Sequence, residues 1–283
     1  MTTVFERVLI IMLENQLVDA VMGNAFMKEL ASQGAFLGKY FGVAHPSQPN
    51  YIASIAGLPM GVTDDSKQDI AGATIVDLLE TKGVTWKAYI EDLPSDKTKH
   101  SKGRYFRKHN PFVSFDAIRM NPGRLAQIVD ASQLAMDIAI GTAPQYCWYT
   151  PNIENDGHTP PSSFQEGNPA RRVNFLAQWL SGFLKPLQAN ANFMKTTLTV
   201  VTFDESIPHN DNHVHTVLLG AGVQPGQVVM DRFDHYSLLR TVEDNFGLGT
   251  LNRNDASAQP FAFLWGKETS FQWSDHSQAA EEV

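Results

Sequence analysis

Two apolar runs near opposite ends of the chain each stop abruptly at a pair of polar residues. The runs are residues 7–13 and 197–203, and the polar pairs that follow them are Glu14-Asn15 and Asp204-Glu205. Both runs are typical of strands that are buried on both faces. Ligands of open α/β sheets bind beyond the carboxyl ends of the strands, so neighbouring strands would bring the four polar side chains together. Three carboxylates beside an amide favour a hard divalent cation between them.

Apolar and β-branched runs alternate with helical patterns along the chain. Strands are predicted at 7–13, 36–43, 85–90, 144–149, 196–203 and 214–219. Helices are predicted at about 24–32, 49–56, 73–82, 123–133, 169–188 and 234–246. This alternation predicts an α/β fold, a doubly wound and mostly parallel sheet with helices on both faces.

Two long polar stretches rich in Pro and Gly interrupt this alternation, at 93–122 and 150–168. Loops of that length in a compact domain are usually functional or mobile. The sequence has no internal repeat and no low-complexity linker. We therefore expect one domain over residues 1–283, with both loops at the active site.

Composition narrows the possible partners and the cellular compartment. The 283 residues carry a net charge of −8, which disfavours nucleic acid or an anionic membrane as the main partner. A small anionic substrate remains possible if a metal supplies positive charge. The single cysteine, Cys147, lies in an apolar run and is expected in the core. No signal peptide and no apolar run of membrane-spanning length are recognisable, so the default expectation is a cytoplasmic enzyme.

A serine lies where a helix is expected to begin. Pro49 suits the first turn of that helix and Gly57 its end, which places Ser47 just ahead of it. A hydroxyl there meets exposed backbone N–H groups, and a metal touching its oxygen would make it a nucleophile. The alternative is a serine that only caps the helix. Asn50 is expected either to bind a phosphate oxygen or to form a hydrogen bond within the helix start.

The motifs of the chain, taken together, resemble those of the phosphoesterase family of bacterial and fungal acid phosphatases and phospholipases C, within the alkaline phosphatase superfamily. The motifs that carry this resemblance are Leu13-Glu14-Asn15, His45–Tyr51 and Phe203-Asp204-Glu205. Further matching stretches are Tyr89–Asp92, Lys108–Phe112, Tyr149–Asn152, Asn155–His158, His213-Val214, Gly220–Gly226 and His235–Asp244. The matches follow the family order from about residue 7 to residue 250, and this joint order is more specific than any single motif.

The resemblance implies an alkaline phosphatase-like fold and a role for each part of the site. The expected metal ligands are Glu14, Asn15, Asp204 and Glu205. Ser47 matches the attacking residue of the superfamily, which implies a phosphoseryl intermediate that water then hydrolyses. The cofactor would be a divalent metal ion: calcium, magnesium or manganese for oxygen ligands, zinc if histidines take part.

Several basic residues could take part in this site, and each also has an alternative interpretation as a residue without a role in catalysis or binding. His158 is expected to bind phosphate or to protonate the leaving group, or to hold a second metal with Glu154; otherwise it is a surface residue. Lys108 and His109 would bind an anion, or would be charged loop residues. His235 is expected at the substrate or else as a polar residue at a helix start.

Three histidines at positions 209, 213 and 215 follow Asp204-Glu205 closely. They could form a metal cluster. We favour a polar loop in which His213 alone faces the substrate.

These observations predict a metal-dependent hydrolase of phosphoric esters, and first of all a phosphomonoesterase that uses Ser47. The alternatives are a phospholipase C-type diesterase, a related phosphonate or sulfate ester hydrolase, and a metal-binding pseudoenzyme. Secreted relatives carry a signal peptide, and some phospholipases C carry additional C-terminal domains. We recognise neither feature in this sequence, which favours a small phosphorylated substrate over a lipid. The oligomeric state stays open.

Overall fold

The computed structural model describes residues 3–98, 100–162, 169–207, 211–266 and 271–272. The strands are β1 (Arg7–Leu13), β2 (Ala35–Leu37), β3 (Tyr40–Phe41), β4 (Trp86–Ile90), β5 (Ile128–Asp130), β6 (Tyr146–Thr150), β7 (Thr197–Phe203), β8 (His213–Val214), β9 (Val217–Gly220), β10 (Gln227–Val229), β11 (Phe233–Asp234) and β12 (Phe271–Gln272). The α-helices are α1 (Val18–Met22), α2 (Ala25–Gln33), α3 (Ser47–Ala56), α4 (Ile75–Thr81), α5 (Asp116–Arg119), α6 (Pro122–Ala126), α7 (Gln133–Ala139), α8 (Pro169–Ala189), α9 (Ala191–Thr196), α10 (His235–Phe246) and α11 (Asn254–Ser257). Short 3-10 helices span Arg107–His109, Pro111–Ser114 and Ala262–Trp265.

The main sheet has nine strands in the order β12-β10-β2-β9-β7-β1-β6-β4-β5. The five strands from β7 to β5 pair in parallel, while β9 pairs antiparallel to both β7 and β2. A second sheet has the order β11-β3-β8. The predicted α/β fold with a mostly parallel sheet is confirmed.

The centre of the sheet is formed by the two apolar runs that end in polar pairs. Every residue of β7 is buried, and so is every residue of β1 after Arg7. Strands covered on both faces read as continuous apolar sequence, which is why these two were predictable. Cys147 is also fully buried, next to β1 in β6, as expected of a core residue.

Three predicted elements are wrong in their extent. The strand predicted at 36–43 is two strands, β2 and β3, which lie in different sheets. The strand predicted at 214–219 likewise divides into β8 and β9. The helix predicted at 123–133 is the short α6, followed by β5, which pairs with β4. The extent and type of these elements depend on pairing with strands that are distant in the sequence. The local periodicity of apolar residues carries no information about that pairing.

The predicted loop at 93–122 contains short helices, among them α5. Residues 163–168 of the other predicted loop lie outside the described residues. Single-domain organisation over 1–283 stays a prediction. Within the described ranges, no helix combines the length and apolar character needed to cross a lipid bilayer.

Candidate active site

The candidate site begins where β1 and β7 end side by side. The two strands pair in register, with Leu13 opposite Phe203. The backbone N–H of Asp204 donates to the carbonyl of Leu13 at 2.9 Å, which continues the pairing by one residue. The predicted meeting of the two polar pairs is therefore confirmed. Glu14, Asp204 and Glu205 are at most 1% exposed.

Ser47 lies among these side chains as the first residue of α3. Its Oγ is 3.0 Å from Glu14 Oε2, 3.0 Å from Glu205 Oε1 and 3.4 Å from Asn15 Oδ1. A hydroxyl has one hydrogen to donate, so only one of these oxygens receives it at a time. The serine is 2% exposed and its neighbours can accept its proton, but burial and the negative charge of those neighbours disfavour an alkoxide unless a cation is present. Its predicted position near the four acidic and amide side chains is confirmed, and its chemical role stays a prediction.

Asn50 holds the segment that leads into α3. Its Oδ1 accepts from the backbone N–H groups of Val43 and Ala44 at 2.8 and 3.0 Å. Its Nδ2 donates to the carbonyls of Ala44 and Pro46 at 2.9 and 3.2 Å. With the side chain occupied by backbone groups, the structure favours the alternative interpretation of Asn50 as a structural residue over contact with phosphate.

A second group of potential metal ligands shares Glu14. Glu14, His109 and Asp156 are all buried, and one ligand atom of each lies within 4.8 Å of the other two. Glu14 Oε1 is 3.0 Å from His109 Nε2, and Asp156 Oδ2 is 3.4 Å from His109 Nδ1. Glu14 Oε1, His109 Nε2 and Asp156 Oδ2 lack a partner in hydrogen-bond geometry among the described residues. The group therefore offers a place for a metal ion.

Sequence reasoning missed Asp156 and chose Glu154 as the acid of a possible second metal site. Glu154 instead pairs with Arg104, at 3.2 Å between Oε2 and Nη1. Asp156 lies in the motif Asn155–His158, and its signal was its position before a glycine and a histidine. The backbone carbonyl of Asp156 accepts from the N–H of Glu14 at 2.9 Å, which ties this loop to the end of β1.

The loop after β6 is held in place by hydrogen bonds to Glu91 and Gln16. Glu91 accepts from the hydroxyl of Tyr149, the N–H of Asn152 and the amide of Asn155 at 2.7–2.9 Å. Gln16 donates to the carbonyl of Gly157 at 2.8 Å, and Gly157 has a φ of +98°, a conformation that favours glycine. Asp156 thus points at the site from a fixed backbone.

The electrostatics of the site are those of crowded buried acids. Burial raises the pKa of Glu14 to about 7, against the opposing effects of Lys108 and Ser47. Burial also raises the pKa values of Asp156, Asp204 and Glu205, and for Asp156 and Asp204 the neighbouring Glu14 adds to the effect. Buried carboxylates without a cation favour the protonated state, so the cluster has a strong affinity for positive charge.

Lys108 and His109 differ from the predicted pair of cations. Burial alone would lower the pKa of Lys108, but Glu14 and Asp65 raise it above its usual value, and its Nζ lies 2.6 Å from Asp65 Oδ2. The pKa of His109 is well below its usual range because the ring is buried and lies near Lys108. Lys108 is therefore the cation of this pair, and His109 is a neutral ring stacked on Tyr51 at 5.2 Å between centroids.

His158 is half-buried two residues after Asp156, with its backbone N–H donating to Asp156 Oδ1 at 2.8 Å. Its Nδ1 lies 2.7 Å from the hydroxyl of Thr159. Burial and the nearby Lys108 lower the pKa of its ring. The structure places it on the same loop as the buried acid Asp156.

His235 and His45 contact the carboxylate cluster in different ways. His235 is fully buried, and its Nε2 contacts the backbone oxygen of Asp204 at 2.5 Å while its Nδ1 lies 3.1 Å from the hydroxyl of Tyr40. This placement makes His235 a support for Asp204 rather than a substrate ligand. Sequence reasoning gave His45 no role, although it heads the serine motif; its Nδ1 contacts Glu205 Oε2.

The histidines after Glu205 do not form the alternative metal cluster within the described residues. His213 is half-buried and stacks on Phe41 with 5.1 Å between ring centroids. His215 is buried against Phe36 and Phe203. His209 lies outside the described residues.

Comparison with known proteins places this fold in a wider group. A crystal structure described as a protein in the alkaline phosphatase superfamily from Vibrio parahaemolyticus superposes with a TM-score of 0.62 at 13% identity, covering 90% of this chain and 70% of that one. The fold is therefore that of this superfamily. The family model of the Phosphoesterase family matches residues 23–249. The chain belongs to that family.

Two relatives illustrate the range of the family. An acid phosphatase of Aspergillus fumigatus is 34% identical over 270 residues, covering 90% of this chain and 58% of the relative. A phosphatidylinositol-3-phosphatase of Mycobacterium tuberculosis is 33% identical over 270 residues, covering 93% of this chain and 83% of the relative. The chain spans 58% to 66% of the lengths of the fungal relatives.

Proposed function

We propose that the protein hydrolyses phosphoric monoesters of small molecules, with Ser47 as the nucleophile. The observation that supports this most directly is the position of Ser47 Oγ, 3.0 Å from both Glu14 Oε2 and Glu205 Oε1. Membership of a family whose relatives are named phosphatases supports the same reaction class.

We propose that the reaction depends on a divalent metal ion, and the donor atoms fit one. Four of the buried carboxylate oxygens that lack a hydrogen-bond partner in the described part of the chain lie at this site: Glu14 Oε1, Asp156 Oδ2, Asp204 Oδ1 and Asp204 Oδ2. Buried charges of this kind are stable when they coordinate a metal. Glu14, Asn15, Asp204 and Glu205 would hold an ion beside Ser47, and Glu14, His109 and Asp156 are a second possible set. Such an ion supplies positive charge that stabilises the serine alkoxide and the phosphoryl oxygens.

In the first step, Ser47 Oγ gives its proton to one of the carboxylates that it contacts and attacks phosphorus. The new Oγ–P bond forms as the bond from phosphorus to the ester oxygen breaks. In its protonated form, His158 would donate a proton to that leaving oxygen. Lys108 would stabilise the negative charge of the transferred phosphoryl group.

In the second step, water attacks phosphorus and the Oγ–P bond breaks. As that bond breaks, the carboxylate returns its proton to Ser47 Oγ, a proton from the attacking water goes to His158, and inorganic phosphate leaves. We propose that His213, whose ring stacks on Phe41, contacts the substrate. His109, as a neutral ring, would serve as a metal ligand or as a hydrogen-bond partner rather than as an anion-binding cation.

The decisive assay measures hydrolysis of an aryl phosphate and an aryl phosphodiester by metal-stripped protein, with calcium, magnesium, manganese and zinc added back singly. We expect metal-dependent release from the monoester. Preference for the diester would favour the phospholipase C-type alternative, and an aryl phosphonate or sulfate tests the remaining hydrolase alternatives. No turnover with any metal would contradict the proposal and favour the pseudoenzyme.

We also propose a cytoplasmic location, which the single buried cysteine supports because it leaves no intrachain disulfide to form in an oxidising compartment. Fractionation of the native cells, with detection of the protein in the medium or periplasm as the contradicting result, tests it.

A further inference from the structure

Helix α3, which carries the proposed nucleophile, begins without a capping side chain of its own. Its N-cap residue is Pro46, which makes no side-chain cap hydrogen bond, and the hydroxyl of Ser47 lies among the acids of the site. A separate loop supplies the acceptor, because Asp65 Oδ1 accepts from the backbone N–H of Gln48 at 3.0 Å. A carboxylate at this point stabilises the first turn of a helix and its positive dipole end. Asp65 therefore fixes the backbone next to Ser47.

The second carboxylate oxygen of Asp65 binds a cation of the candidate site. Asp65 Oδ2 lies 2.6 Å from Lys108 Nζ, which donates to it. The charge of Lys108 also acts on the acid cluster, because Glu14 and Asp204 each raise the pKa of the lysine. One carboxylate thus connects the start of the nucleophile's helix to the lysine whose charge reaches the cluster.

The ion pair of Asp65 and Lys108 is better suited to fixing a position than to stabilising the fold. It is partly open to water, since the side chain of Asp65 is 34% exposed and that of Lys108 is 16% exposed. Such pairs add little stability, because water screens them and ordering two side chains costs entropy. A lysine side chain has many rotamers, however, and a carboxylate that is itself held by a helix backbone restricts them. The pair therefore sets the place of the ammonium group relative to α3.

We propose that Asp65 is a positioning residue, which holds Lys108 at the start of α3 so that the ammonium group meets the phosphoryl group transferred to Ser47. This inference rests on the proposed function, since it concerns the lysine that stabilises the transferred group in that reaction. A charge that is held in place before the reaction stabilises developing negative charge without reorganisation, and a small displacement of it lowers the rate strongly.

The test is a double-mutant cycle on Asp65 and Lys108 in the metal-loaded protein. Asp65→Asn keeps an acceptor for the N–H of Gln48 and removes the charge that holds Lys108, and we expect it to lower kcat/KM for an aryl phosphate about tenfold. In a Lys108→Met background the same substitution should change kcat/KM by less than about twofold, because the group that Asp65 positions is gone. A merely structural role of Asp65 would lower kcat/KM by the same factor in both backgrounds and would overturn the proposal.

Asp64→Asn is the matched control, because it removes the same charge from the neighbouring position. Asp64 accepts only within its own loop, from Ser66 and Gln68, so kcat/KM should stay within about twofold of the wild type. Asp65→Ala also loses the acceptor for Gln48 and should melt about 2–4 °C below Asp65→Asn. Equal melting temperatures would refute the link to the helix start. An equal loss of activity in Asp64→Asn, or a lower KM in Asp65→Asn, would refute the positioning of Lys108.

Failure of the proposed function is recognised separately. If the wild type hydrolyses no ester with any metal, the metal-loaded protein is titrated with inorganic phosphate by calorimetry. A Kd for phosphate that Asp65→Asn raises about tenfold, with no further rise in the Lys108→Met background, would support the positioning of Lys108 without turnover. No binding of phosphate, or an unchanged Kd in Asp65→Asn, would refute it.

Discussion

Asp137 and Asp204 are both buried carboxylates, and the protein surrounds them in opposite ways. Asp137, in α7, accepts from Lys87 and Tyr89 at 2.7 Å each and from Thr142 at 3.2 Å. Asp204, after β7, has no hydrogen-bond partner on either carboxylate oxygen within the described ranges. Burial alone would raise the pKa of Asp137, but its partners lower it, whereas the pKa of Asp204 is raised by burial and by Glu14.

The difference shows that this fold supplies partners to a buried acid such as Asp137, whose role is structural. At the ends of β1 and β7 it instead gathers acids that repel one another. A structural carboxylate is paired within the chain, while an unpaired cluster needs a partner from outside it. Asp204 is of the second kind, and so is Glu14 on its Oε1, whereas Glu205 has Ser47 and His45 as partners. The following predictions test this distinction, beginning with the largest effect.

Ser47→Ala should lower the rate of ester hydrolysis by about 10³-fold or more, since the proposed covalent step is lost. Single-turnover and steady-state assays on an aryl phosphate measure it, and circular dichroism checks the fold. Ser54→Ala is the matched control, because Ser54 lies in the same helix and its hydroxyl donates only to the backbone carbonyl of Asn50. Turnover near the wild-type rate in Ser47→Ala would refute the nucleophile.

Asp204→Asn and Asp137→Asn should change activity and stability in opposite patterns. Removing a charge from the crowded cluster should lower activity by about 10²-fold or more, and the metal-free protein should be as stable as the wild type or more stable. Removing the charge of Asp137 leaves Lys87 unpaired, and we expect a loss of about 1–3 kcal/mol in the free energy of unfolding with activity within about twofold.

Urea denaturation of metal-free samples and assays of metal-loaded samples give the two quantities. A strong destabilisation by Asp204→Asn without metal would contradict the distinction between the two acids. So would a loss of activity from Asp137→Asn that is not explained by unfolding.

A divalent cation should stabilise the wild type and not Asp204→Asn. An ion that binds only the folded state adds about 2.7 kcal/mol at a concentration of 100 times its Kd. Thermal unfolding with increasing calcium, magnesium, manganese or zinc measures this, and Asp137→Asn is the control that should keep the full response. An equal shift in all three proteins would mean that the ion binds elsewhere.

How far the sequence predicts this molecule depends on whether a segment is determined locally. β1 and β7 were predictable as strands because continuous apolar runs end at polar pairs. Their pairing was a condition of the predicted site, and the structure supplies it. β5 was not predictable, since it is a strand only through its pairing with β4. Glu154, the acid suggested beside His158 for a second metal, instead pairs with Arg104, fifty positions away in the sequence, a contact that spacing does not reveal.

The position of a side chain near the site was also easier to predict than its partners. His235 follows β11 at the start of α10, as its motif suggested, yet its ring contacts the backbone of Asp204 and the hydroxyl of Tyr40. Asn50 likewise lies close to Ser47 but is occupied by the backbone of residues 43–46. Motifs place residues in a neighbourhood, and hydrogen bonding then decides which of them remain available to a ligand.

Glu243 extends the comparison to a buried acid that is unpaired and lies outside the candidate site. It is fully buried in α10, and neither carboxylate oxygen has a hydrogen-bond partner among the described residues. Burial, with the nearby Asp255 carboxylate adding to it, raises the pKa of Glu243 to about 9. Because the pKa in the folded state is above that in the unfolded state, Glu243 destabilises the fold progressively as pH rises from about 4.5 towards 9.

Glu243→Gln should remove that part of the pH dependence, since an amide does not titrate. We expect the melting temperature of the wild type to fall by roughly 3–6 °C more than that of the variant between pH 5 and pH 9. Differential scanning calorimetry across this range measures both curves, and Gln33→Glu, a new acid at the surface, serves as the control. Parallel curves for the wild type and Glu243→Gln would mean that Glu243 is already ionised at pH 5, paired by a group that behaves towards it as Lys87 does towards Asp137.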